Sequence, residues 1–180
     1  MQTRLLVPYR DTAADDLVWR LGDPRHPALA SLELDVPGGG RLELRLLGNS
    51  HQVVFTAPGA VVSEVVACGT GAPGLPPAAD RAVDGWDYRF RSSTHRLPPA
   101  RFGDRVDRLV ARLADHPSAI VGSFPGSPHA VTALLADGLP GPGAGSGCAG
   151  VRWRTWHAYP QDRRLVATTT TLRPRSGAAR

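Results

Sequence analysis

Alternation of apolar and polar side chains dominates the first half of the chain. Leu32, Leu34 and Val36 alternate with Ser31, Glu33 and Asp35. After the turn Pro37-Gly38-Gly39-Gly40, Leu42, Leu44 and Leu46 alternate with Arg41, Glu43 and Arg45. This two-residue period predicts antiparallel strands with one wet face. His51–Thr56, with Val53 and Phe55 on one side, and the apolar run Val61–Ala67 predict two further strands. Gly69–Gly85 is rich in Gly, Pro and Ala and reads as an excursion loop. A fifth strand follows, with Trp86, Tyr88 and Phe90 on one face and Asp87, Arg89 and Arg91 on the other.

The period changes at Arg101–Asp115. Phe102, Val106, Leu109 and Leu113 recur at helical spacing, with Arg and Asp opposite. A shorter helix is predicted over Asp11–Leu21, capped by Thr12 and stopped by Gly22. A third is predicted from Ser127 to Gly138, with Ser127 as N-cap and Pro128 in the first turn. Ala119–Phe124 reads as a short strand, and 151–159 with Arg164–Leu172 as a terminal hairpin. These elements predict one α+β domain over residues 1–172, a mostly antiparallel sheet of six or seven strands with three helices packed on one face. Mobile loops are expected near 69–85 and 139–150, and a flexible tail over 173–180.

Composition narrows the class. The chain has 180 residues, 42% apolar and 21% charged, which suits a soluble globular domain and not a disordered one. No apolar run reaches the roughly 18 residues of a membrane span. Met1–Pro8 lacks the apolar region of a signal peptide, so a cytoplasmic location is expected. Cys68 and Cys148 are then expected as reduced thiols. The net charge is +5, and every basic residue is Arg. Scattered Arg without a clustered basic face make nucleic acid a third-ranked partner.

The densest chemistry lies in Gly150–Pro160. In a strand, Val151, Trp153, Thr155, His157 and Tyr159 share one face, and Arg152, Arg154 and Trp156 share the other. Two Arg about 7 Å apart on one face can grip a carboxylate or phosphate, with Trp156 as a stacking wall. Solvated Arg paired to neighbouring acids is the plainer reading. Arg89 and Arg91 repeat the pattern, so four Arg would converge if the two strands were adjacent. Ser127 and His129 would place an anion site at the N-terminus of the third helix, where free amides point outward; a plain capped turn is the plainer alternative. His157 and His51 are the candidate acid–base groups of a small enzyme acting on an anionic metabolite. The His and Cys spacings give no metal motif, and no cofactor is expected.

The segments 46–54 (Leu-Leu-Gly-Asn-Ser-His-Gln-Val-Val), Phe124-Pro125-Gly126-Ser127-Pro128 and 153–160 (Trp-Arg-Thr-Trp-His-Ala-Tyr-Pro) resemble domain-of-unknown-function family 2617, typical of actinobacteria. That resemblance implies no activity or catalytic residues. It implies an association with a protein of a polyamine-related pathway. The expected function is therefore an accessory or ligand-binding protein with an Arg/aromatic surface for an anionic small molecule.

Overall fold

A computed structural model describes residues 2–6, 30–36, 40–47, 50–57, 60–67, 78–83, 86–124, 127–140 and 148–175. The helix predicted at 11–21, the loop cores at 68–77 and 141–147, and the tail beyond 175 lie outside these residues. In chain order the elements are β1 (Gln2–Leu6), β2 (Ala30–Val36), β3 (Gly40–Leu47), β4 (Ser50–Ala57), β5 (Ala60–Ala67), β6 (Ala78–Val83), β7 (Trp86–Arg96), α1 (Pro99–Leu113), β8 (Ala119–Phe124), β9 (Ser127–Pro140), β10 (Cys148–Tyr159) and β11 (Arg164–Pro174).

The strands form two sheets where the alternation had suggested one. The first has the order β1-β5-β4-β3-β2, and the second β6-β7-β11-β10-β9-β8. All pairings are antiparallel except β1 with β5. β2 to β5 fall where the alternation puts them. β6 and β1 were not foreseen: β6 lies inside the expected excursion loop, and its Ala-Ala-Asp-Arg-Ala-Val sequence carries little strand signal.

The largest correction is β9. The segment predicted as a third helix is a strand, and α1 is the one helix among the described residues. Residues 131–136 are all buried. Leu134 and Ala136 join the core between the two sheets, while Val131, Ala133 and Leu135 join the core under α1. A strand covered on both faces reads as a continuous apolar run, which periodicity cannot separate from a helix. The helix-favouring Ala and Leu are overridden by pairing with β8 and β10.

The second sheet is therefore the middle of three layers. Its inner face meets the first sheet through Trp153, Tyr88, Phe90 and Leu172 against Leu42, Leu44, Val53 and Phe55. Its outer face meets α1 through Phe102, Val106, Leu109 and Leu113, the stripe read from the sequence. Gly103 lets the helix come close: a Cβ there would lie 3.1 Å from the His129 ring.

The β10–β11 hairpin closes through a turn in which Arg163 takes φ +52° and its carbonyl accepts from Leu97 N–H at 2.9 Å. A non-glycine residue there costs about 1 kcal/mol, partly recovered by the stiffer unfolded chain. Arg163→Gly is expected to raise the melting temperature by about 1–3 °C, read by circular dichroism. A decrease would contradict this account of the turn.

Candidate anion-binding site

Strand alternation on β10 divides its side chains between two layers. Trp153, Thr155 and His157 point into the inter-sheet core and are at most 1% exposed. Arg152, Arg154 and Trp156 occupy the opposite face and are half-buried. The parity read from the sequence holds. The layer assignment does not, because the Arg face is also the face on which α1 packs. The helix covers the end bearing Trp156, Ala158 and Leu165; the Arg lie further along the strand.

β7 and β10 are not neighbours: β11 runs between them. Register still aligns the four Arg in two rows on one face. Arg89, Thr171 and Arg152 form one row, and Arg91, Thr169 and Arg154 the other. With strands about 4.8 Å apart, the two Arg pairs start about 10 Å apart across the threonines. The face is partly neutralised. Asp137 accepts from Nη2 of both Arg152 (3.1 Å) and Arg154 (3.0 Å). Asp80 takes both terminal nitrogens of Arg91, and that guanidinium holds the Asp80 carboxyl below its ordinary value. The Nε atoms of Arg152 and Arg154 are shielded from solvent and bond no acceptor among the described residues. The side-on fork of these two Arg is therefore closed to an incoming anion, and one Nη of each is already taken by Asp137.

One element away, on the polar face of α1, lies another row of arginines. Arg101, Arg105, Arg108 and Arg112 recur at intervals of four, three and four residues, so they share one side of α1. All four are exposed, and none has an ion-pair partner among the described residues. Arg108 Nε donates to the Asp104 carbonyl at 3.1 Å, which steadies it without using its charge. The helical spacing was the available signal. It was missed because Arg alternating with Asp looks like a self-compensating surface.

Between this row and β11 runs a groove. One part, of about 170 Å³, is lined by Arg105, Arg108, Leu109, Arg112, Trp156 and Leu165. The adjoining part, of about 310 Å³, shares Arg105, Arg108 and Leu165 and extends to His95, Leu97 and Arg101. Trp156 marks one end. The guanidinium carbons of Arg112 and Arg154 lie 5.5 and 5.9 Å from its ring centroid, within cation–π range. The expected stacking wall is thus a half-buried indole that already holds two cations.

The remaining candidates lie elsewhere. With β9 a strand, there is no helix N-terminus at Ser127, and the amide-based anion site proposed there loses its element. His129 packs edge-on to Phe102 and lies 3.4 Å from Asp107, so it ties α1 to the sheet. His51 and His157 meet across the two sheets: His51 Nδ1 lies 3.1 Å from His157 Nε2, and the rings stack at 5.3 Å. Thr132 Oγ1 lies 3.4 Å from His157 Nδ1. Burial, and then the neighbouring His51, push the His157 pKa well below 6.5. Among the described residues, no three His, Cys, Asp or Glu gather as a metal site, and no helix is long and apolar enough to cross a membrane.

The molecule is thus a three-layer β/β/α protein with an arginine groove between helix and sheet. The sequence pattern described as "Protein of unknown function DUF2617" matches residues 14–172, and the chain belongs to that family. It is 33% identical over 158 residues to an uncharacterised Mycobacterium tuberculosis protein, Rv2598, covering 86% of this chain and 87% of the relative. An uncharacterised Mycobacterium bovis protein is similar to the same extent. No solved structure matches the chain.

Proposed function

We propose that the protein binds an anionic ligand in the groove between α1 and the second sheet, with Arg105, Arg108 and Arg112 as the charged wall and Trp156 at its end. The observation that carries this reading is the row of helix Arg with no ion pair among the described residues, beside a sheet on which Asp137 holds Arg152 and Arg154 and Asp80 holds Arg91. Exposed guanidiniums with no ion pair among the described residues keep their terminal donors for a ligand, and the half-enclosed groove lets them act together. The acid–base alternative requires an imidazole that meets substrate. His51 and His157 are 0% and 1% exposed, and neither lines the groove.

The test is titration with sodium pyrophosphate followed by Trp emission. A saturable change is expected, since an anion drawing Arg112 away alters the surroundings of Trp156. Trp156→Phe is expected to remove the signal, and Arg105→Gln with Arg112→Gln to weaken binding at least tenfold. Arg89→Gln with Arg91→Gln is expected to stay within twofold of the parent. Equal affinity in the parent and the helix double variant would sink the assignment.

A further inference from the structure

The shape of the groove says more about its occupant than its charge does. Arg101 to Arg112 span about 16 Å along the helix axis at 1.5 Å per residue. Beside them the groove is lined by partly exposed Leu97 and by the edges of the core residues Leu109 and Leu165, with the indole of Trp156 at one end. A small inorganic anion would use one or two guanidiniums and leave that lining wet. A single-stranded nucleic acid would need open aromatic faces on which to stack its bases. Among the described residues, the lining holds no Phe, Tyr or second Trp, and Trp156 is already engaged by Arg112 and Arg154.

An extended peptide meets both requirements. About five residues cover 16 Å at 3.3 Å per residue, and alternate side chains point to opposite sides. Same-side positions recur every 6.6 Å or so, so about three of them face the row of four Arg, whose axial steps are about 6, 4.5 and 6 Å. We propose that the groove docks an extended segment of a partner protein in which acidic and apolar residues alternate. The acidic side chains meet the Arg row, and the apolar ones lie along Leu97 and Trp156 over the edge of Leu165. This rests on the anion-binding reading above and adds the class of ligand.

The test uses the full chain and fluorescence anisotropy. The probe is a fluorescein-labelled eight-residue peptide alternating Asp and Leu; the comparison peptide has the same composition in two blocks. The alternating peptide is expected to bind at least tenfold tighter than the block peptide. Arg105→Gln with Arg108→Gln is expected to weaken it at least tenfold while leaving the melting temperature within about 2 °C, since Gln matches Arg in helix propensity. Equal binding of the two peptides would overturn the proposal, as would tighter binding of an eight-nucleotide oligothymidylate. Saturable pyrophosphate binding without peptide binding would remove the peptide assignment and leave the anion site standing. Failure of pyrophosphate and both peptides to bind would remove both.

Discussion

Gly150→Ala is expected to lower the melting temperature by about 5–10 °C, a loss of roughly 2–3 kcal/mol. The pairing of β10 with β9 shifts register between Cys148 and Gly150. Gly150 there takes φ +157°. A Cβ would lie 2.3 Å from the Leu172 carbonyl oxygen and 3.3 Å from Arg173 Cα. Both are backbone atoms, so no rotamer change relieves the clash. The next pair, Val151 with Leu172, is buried in the inter-sheet core, and parting the strands would expose it. Gly103→Ala is the internal control. Its Cβ meets the His129 ring, a side chain that can give way, and the helix gains about 1 kcal/mol from losing a glycine. Thermal unfolding followed by circular dichroism decides the matter. A Gly150→Ala protein melting within 2 °C of the parent would show that this strand crossing does not constrain the hairpin.

Acid is expected to destabilise the protein well before the carboxylates titrate. His157 is held neutral in the folded state, chiefly by burial and then by His51. In the unfolded chain its pKa returns to 6.5. Between those values the unfolded state binds the extra proton, so stability rises with pH. The full stability is present above about pH 6.5, and it falls as the pH drops below that value. The limiting slope is about 1.4 kcal/mol per pH unit for this one group. Melting temperatures measured from pH 8 to pH 5 test it. His157→Leu is expected to flatten the curve through this window, whatever it does to stability at pH 8. A parent protein whose melting temperature is constant from pH 7 to pH 5 would rule out the buried neutral imidazole.

The same pair shows where sequence reading stopped. The parity of β10 already set His157 beside Trp153 on one face. Nothing in the spacing of His51 and His157, 106 positions apart, foretold that they would stack across two sheets. The arginines divide in the same way. That Arg152 and Arg154 share a face follows from a two-residue period. That Asp137 would quench both depends on β9 being the adjacent strand, in register at Arg152.

What the amino-acid order determined alone was local: the strands β2 to β5, β7, β8 and the terminal hairpin, the apolar stripe of α1, the side on which each strand residue falls, and membership of the family. Side-chain period is a property of the backbone and survives any packing. Tertiary structure decided the rest. It made the buried, mostly apolar segment 131–136, an apparent helix, a strand covered on both faces. It split the strands into two sheets and set the helix over the Arg-bearing face. Which arginines stay available for a ligand depended on those choices, because compensation of a charge is a contact between segments distant in sequence.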